Sequence, residues 1–453
     1  MLYEKFHVSL QLQTNKRNNM KSFATKVVKS SQKVTPFGGI SYVNAEFNNS
    51  GLAQLIDNEL GVRGSGTGYS YSEIFRTWNH VFFCGGECAE DIQVHLRNTL
   101  EEIPGNNVPS ADTLLKGIKQ LAVENTEVTT PNSEKVYQFN INERMNILNI
   151  KSLLLTEQLE KGGCYDFDYD NQIISHEKYD AKKTYKMTTG YFPGVATIGD
   201  KIVYVENRDG NANVKTGQDK TLERAYALLK EHEITVNRSR MDAGSYSKAI
   251  IEVVSANSKL FYIRANKCAD LCDRIREIPK ADWQNIEINY KEYKVASLVF
   301  TQFLEDRHYR LVVMGEKSNE RQEDIFYGDN CIYRCILTND WKSSEKEIIE
   351  YYNQRGSSEK TFDIQNNDFG WGHLPCSDMH HNTVYLILTA MIKNFYNYIV
   401  QKVSKVFTDI PATSRMKRFI FRFICVPGRW YHRGRQWTLE LYSDRPYEKI
   451  FAA

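Results

Sequence analysis

Three carboxylates set far apart along the chain are of the right type to do chemistry together. Asp170 stands near the end of an acidic strand, CYDFDYDN (164–171), and Asp242 directly follows a second strand, ITVNRSRM (234–241). Glu359 lies within SSEKEIIEYYNQRGSSEKTFDIQNNDF (343–369). Carboxylates are hard oxygen ligands, and three of them can hold two divalent cations, Mg2+ by preference, roughly 4 Å apart. That arrangement activates an attacking oxygen and stabilises a leaving one in phosphodiester chemistry. Three acids among 56 are a weak signal alone, but their placement on a strand, a strand end and a helix is a stronger one.

The elements that must position them can be read from periodicity. Ser344 with Glu347 three residues on is a capping-box signature, so a helix is expected to start there. Ile348, Tyr352, Arg355, Glu359 and Phe362 then recur at helical spacing along one face. An inward face built of Tyr, Arg and Glu costs desolvation unless a metal ion or a phosphate stands opposite; a solvated face with an internal ion pair is the bland alternative. CYDFDYDN alternates with period two, which puts Asp166, Asp168 and Asp170 on one face of a strand. Three like charges in a row repel one another unless a cation or solvent receives them. GYFPGVATIG and DKIVYVENRDG follow as two more strands turning at Gly199-Asp200, then a helix over 222–232, the strand ending before Asp242, and a helix over 245–255.

Around this centre the chain divides by character. From 49 to 161 most windows are helical, with Ser110 as a cap for a stripe of Leu114, Leu115, Ile118 and Leu121, and 142–161 as a further helix ending at Gly162-Gly163. From 259 to 337 the pattern is strand-rich (KLFYIRAN, IEINYKEYKVASLVFTQF, HYRLVVMG, CIYRCILTN) and reads as a β insertion. Residues 383–407 read as a long amphipathic helix that would cover the sheet. Trp341 and Trp371 flank the glutamate segment, where they could stack on a base, although packing is the commoner role for tryptophan.

At 453 residues, 41% apolar and 25% charged, with a net charge of +2, the composition is that of a globular protein of two or three domains. No global field marks a polyanion partner, yet both ends are basic. Lys5, Lys16, Arg17, Lys21, Lys26, Lys29 and Lys33 crowd the amino terminus, and Arg415, Lys417, Arg418, Arg422, Arg429, Arg433 and Arg435 the tail, where they interleave with aromatic residues. The nine cysteines form no dense framework; pairs such as Cys84/Cys88 suit buried thiols better than zinc. With no apolar run of 18 residues and no signal pattern, the expected location is cytoplasmic.

FDYDN (167–171), RMDAGSY (240–246) and YNQRGSSE (352–359), the last leading into NNDFGWGHLPC, resemble the DDE transposases of bacterial insertion sequences, and within them the insertion sequence 1380 group. The likeness runs from FGGI near Phe37 to the basic tail. It implies an α/β architecture: a basic arm (1–36), a helical DNA-binding region (37–161), an RNase H-like core in two parts (162–258 and 339–410) around the β-rich insertion (259–338), and a basic tail (411–453). It also implies cut-and-paste transposition, with Asp170, Asp242 and Glu359 holding two Mg2+ ions, for which Mn2+ can substitute. Asp168 is the alternative first aspartate. Tyr352 and Arg355 would contact the DNA backbone, together with Lys360 and the bases of the tail. The family often has Lys seven residues after the glutamate, where this chain has Asn366, so phosphate contact there would pass to Lys360 or another base. The implied partners are double-stranded DNA, as terminal inverted repeats and target, and a second copy of the chain in the synaptic complex. The implied location is the bacterial cytoplasm, at the nucleoid. A DNA-binding regulator without catalysis and a stand-alone nuclease are the competing readings.

Overall fold

The computed structural model describes residues 26–63, 68–130, 133–266, 268–303, 307–317 and 331–451. The chain forms two compact units, Met1–Val34 and Thr35–Ala453. In the first, 26–34 are exposed and without regular structure, and the bases Lys5, Lys16, Arg17 and Lys21 lie outside the described residues. All elements below belong to the second.

Helices α1 (Ile40–Asn49), α2 (Leu52–Leu60), α3 (Tyr71–Phe83) and α4 (Ala111–Gln120) open it. Ser110 caps α4 by accepting from the Thr113 N–H, and Leu114, Ile118 and Leu121 are buried, as the spacing implies. The stretch expected to be helical also contains a β-hairpin, β1 (Thr126–Thr130) with β2 (Ser133–Asn140). Its β-branched residues Thr126, Val128, Thr129 and Thr130 favour an extended chain. Helix α5 (Glu143–Leu155) follows, capped by the Asn142 side chain, and ends before the expected glycine stop.

The centre is one eleven-stranded sheet in the order β1-β2-β8-β7-β3-β9-β10-β14-β13-β12-β11. Strand β3 (Cys164–Asn171) pairs antiparallel with β7 (Gly194–Ile198), which turns at Gly199-Asp200 into β8 (Lys201–Arg208). Between β3 and β7 a small separate sheet is inserted, β4 (Ile174–Ser175), β5 (Lys182–Lys183) and β6 (Thr189–Tyr191). Helix α6 (Gln218–Glu231) leads to β9 (Thr235–Met241), parallel to β3, and α7 (Lys248–Asn257) leads to β10 (Ser258–Arg264), parallel to β9. The segment 259–266, expected to open the insertion, is thus a strand continuing the parallel run. Helix α8 (Ala269–Arg276), unforeseen, precedes β11 (Gln284–Ile288), β12 (Lys291–Phe300), β13 (Tyr309–Lys317) and β14 (Cys331–Thr338), which extend the same sheet antiparallel.

The expected helix through 344–369 is two, α9 (Glu345–Asn353) and α10 (Ser357–Asp368), separated by a 3-10 turn, Gln354–Gly356. The capping box at Ser344 and Glu347 forms. Helix α11 (Met379–Ser404) is buried along most of its length and packs on β8. Trp371 is fully buried, its indole N–H donating to Thr389 Oγ1 at 3.0 Å, which rules out base stacking in this conformation; Trp341 is half exposed. The tail closes with the hairpin β15 (Gly428–Arg433) and β16 (Gln436–Leu441). Among the described residues no helix is long and apolar enough to cross a membrane.

Strand β8 meets β2 only at Asn207 and Arg208, so its outer edge would leave backbone groups bare against helices. Asparagine amides fill the gap. Asn146 of α5 accepts from the Val205 N–H and donates to its carbonyl, both at 2.9 Å. Asn394 of α11 accepts from the Ile202 N–H at 3.1 Å and donates to its carbonyl at 2.8 Å, and Asn149 shares that carbonyl. Asn394→Leu should therefore orphan buried groups and lower the unfolding free energy by about 2–4 kcal/mol. The denaturant midpoint should fall at unchanged m value.

Candidate active site

The period-two acids of β3 meet period-two bases of β9. The strands run parallel with Asp166 opposite Arg238 and Asp168 opposite Arg240, so side chains on one face pair across the ladder. Arg240 grips Asp168 with two hydrogen bonds of 2.7 Å, both side chains being under a tenth exposed. Arg238 Nε lies 3.0 Å from both oxygens of Asp166. Burial would raise the Asp166 pKa, but hydrogen bonds and charge from Arg238 outweigh it and hold the carboxyl below its ordinary value. Asp168 is thereby taken up in a buried ion pair, which leaves Asp170 the better placed of the two candidates for a first aspartate.

One register step further, the ladder ends and no arginine stands opposite Asp170. Its neighbour position on β9 is Asp242, since Tyr169 pairs with Met241, and adjacent strands lie only about 4.8 Å apart. Both acids line one cleft of about 440 Å3, with Asn171, Phe192 and Val214. Each is fixed by a backbone donor: Asp170 Oδ1 accepts from the Asn171 N–H and Asp242 Oδ1 from the Gly244 N–H, both at 2.9 Å. Asp242 thus caps the 3-10 turn Ala243–Ser245.

The end of α9 docks on this pair. The Tyr351 ring lies under the guanidinium groups of Arg238 and Arg240, at 3.8 and 4.6 Å, and its carbonyl accepts from Arg240 Nη1 at 2.9 Å. The buried Tyr352 hydroxyl donates to the Met241 carbonyl at 3.2 Å. Tyr352, expected as a DNA contact, is buried in this conformation and pins the residue preceding Asp242. The 3-10 turn then delivers Arg355, whose Nη2 binds Asp170 Oδ2 at 2.8 Å and whose buried Nε has no hydrogen-bond partner among the described residues. Glu359, expected to point inward, is exposed on the first turn of α10. Among the described residues no group of three metal-ligating side chains is assembled.

Lys360 is exposed beside Glu359. In the tail, Arg415 is held by Asp363 and Asp368, Arg422 by Asp409 and Arg429 by Glu440, while Arg418 donates to the Asp409 carbonyl. These carboxylates, separated in sequence from their partners, answer much of the charge expected to face DNA. Lys417, Arg433 and Arg435 remain exposed; the last two flank Gly434 at the β15–β16 turn, where Gly434 and Arg435 both have positive φ as a tight hairpin requires. Arg238 and Tyr351 were missed as site residues. The signal for Arg238 was the NRSR alternation, in phase with DFDYD.

Burial lifts the Asp170 carboxyl to about 6; Arg355 opposes the rise, and the charges of Asp242 and Glu359 add to it. A carboxyl raised on folding favours the folded state when protonated. This contribution is complete below about pH 4 and is lost as pH rises through the folded value near 6. Asp170→Asn, which mimics the protonated form, should stabilise the protein in EDTA at pH 8 by about 2–3 kcal/mol. Denaturant titrations across pH should show the gap closing below about pH 4.

Over residues 32–453 the sequence matches the family model described as Transposase DDE domain group 1. No curated protein matches it. Among solved structures it is similar to a piggyBac transposase in a synaptic complex with hairpin DNA, at 10% identity and a TM-score of 0.41, covering 85% of this chain and 78% of that one. The family model spans nearly the whole chain, acidic strand, second aspartate and glutamate helix included, and the protein belongs to the DDE transposases, domain group 1.

Proposed function

We propose that this transposase works by cut and paste: it binds the terminal inverted repeats of its element, hydrolyses phosphodiesters at the ends and joins the freed 3′-hydroxyls to target DNA. The observation that carries the reading is Asp170 beside Asp242 at adjoining ends of parallel strands, in an open cleft with a guanidinium at its edge. The core is read as RNase H-like, supported by the order β8-β7-β3-β9-β10 with α6 and α7 between the parallel strands. Placement in the bacterial insertion sequence 1380 group rests on FDYDN, RMDAGSY and YNQRGSSE.

The donor set suits hard divalent cations. Burial, with the charges of Asp242 and Glu359 adding to it, raises Asp170, and a bound cation would offset both; Asp170, Asp242 and Glu359 would hold two ions, Mg2+ with Mn2+ as a substitute. Held by these carboxylates, the ions would supply Lewis-acid activation of the attacking oxygen and stabilisation of the leaving one. Glu359 joins by movement of α10 about the 3-10 turn, where Gly356 has open space around it. Arg355, with its unpartnered Nε, passes from Asp170 to the phosphate being cleaved and neutralises charge as it accumulates. Asp168 and Tyr352 position the two strand ends. Lys360, Lys417, Arg433 and Arg435 give contact to the DNA backbone, and a homodimer holds the two ends together.

The test is incubation of the purified protein with a labelled end of its element, a plasmid target and MgCl2. Strand-transfer products are expected; cut ends alone would mean a nuclease, and a mobility shift without cutting a regulator. Asp170→Asn, Asp242→Asn and Glu359→Gln should each lower cleavage by about 100-fold or more while leaving DNA binding in place. Wild-type cleavage by the Glu359 variant would remove it from the metal set.

A further inference from the structure

A cavity of about 290 Å3 opens between the Gly199-Asp200 turn, α10, α11 and the segment 412–416. Lys393 of α11 lines it and is 2% exposed, yet its Nζ has no hydrogen-bond partner among the described residues. The Ser414 hydroxyl, also on the wall, is buried and unpartnered as well. Lys360 stands at the same wall. Of the acids in the cavity, Asp368 is held by Arg415, and Asp200, ion-paired with Lys201, acts on Lys393 through charge without a hydrogen bond. A buried ammonium left without a partner is costly, and so is a buried hydroxyl. Two such donors on one cavity wall find no acceptor among the described residues.

We propose that this cavity is a phosphate-binding site, with the Lys393 ammonium, the Ser414 hydroxyl and Lys360 as donors to the oxygens of a backbone phosphate of bound DNA. A tetrahedral oxyanion supplies several strong acceptors and a negative charge to set against the buried Lys393 ammonium. Burial draws the Lys393 ammonium down to about 8, with Asp200 opposing and Lys201 adding, so the donor is still mostly charged at neutral pH. Lys360 and Thr361, which line the cavity, directly follow Glu359, so a phosphate bound here would bear on the helix that carries the third acid. The source of the phosphate rests on the transposase reading; the site itself does not.

The experiment has a DNA-free arm and a DNA arm. Inorganic phosphate, against chloride at equal ionic strength and pH 7, should raise the melting temperature of the wild type. Lys393→Met should weaken phosphate about tenfold or more, and Ser414→Ala and Lys360→Ala should weaken it less. The two milder variants carry the test if Lys393→Met does not fold. A short duplex should compete with phosphate in the wild type, and Lys393→Met should lose about one unit of salt slope in duplex binding. Equal effects of phosphate and chloride, or undiminished phosphate binding by all three variants, would overturn the site. Phosphate binding that DNA does not displace would overturn the DNA source. Failure of cleavage with phosphate binding intact would fall on the transposase reading alone.

Discussion

Three aspartates on one face of one strand cannot enter a protein interior unless positive charge meets each of them. In β3 this is met by Arg238, Arg240 and Arg355. Two of the three come from the adjacent parallel strand, at fixed register, and their geometry is set by the sheet. The third comes from a turn between two helices, nearly 200 residues further on, and its position depends on how that turn is docked. The rigid pattern stops at the site: Asp166 and Asp168 have β9 arginines opposite them, whereas β9 has ended at the level of Asp170.

This constraint also explains the docking of α9. The guanidinium groups of Arg238 and Arg240 present flat faces to the sheet surface, and the Tyr351 ring covers them. Stacking satisfies the faces while the edges hold carboxylates, so one aromatic residue links helix to strand without competing for the same hydrogen bonds. Tyr352, next in sequence, reaches the Met241 carbonyl. Two adjacent tyrosines thus anchor one helix end on both sides of the β9 terminus, and Asp242 inherits its position from them.

Periodicity made most local structure legible. The three-strand meander, the turn at Gly199-Asp200, the cap at Ser110, the capping box at Ser344 and the long helix over 383–407 all follow from residue types at short range. What could not be read was what depends on partners distant in sequence. The carboxylates that neutralise Arg415 and Arg422 are Asp363, Asp368 and Asp409, so a run of bases looks more available as a string of letters than it is once folded. The acidic strand itself was recognised, but repulsion among its aspartates is relieved by arginines as readily as by metal, and spacing within one strand cannot distinguish the two. The hairpin 126–140 lies between helices and has no apolar stripe long enough to separate it from them.

The break at Gln354–Gly356 is the clearest case of a regular pattern diverted for a local purpose. A continuous helix through 345–368 would stack Tyr352, Arg355 and Glu359 on one face, with Glu359 one turn beyond Arg355. The 3-10 turn instead sends the three side chains to three places: the Met241 carbonyl, Asp170 and solvent. Tightening the helix over three residues changes the angular phase of everything after it, so the turn, not α10 itself, decides whether two carboxylates or three face the cleft. Arg355 sits within that turn and is tied to Asp170. The contact that neutralises Asp170 is therefore made from the same turn that sets the phase of Glu359.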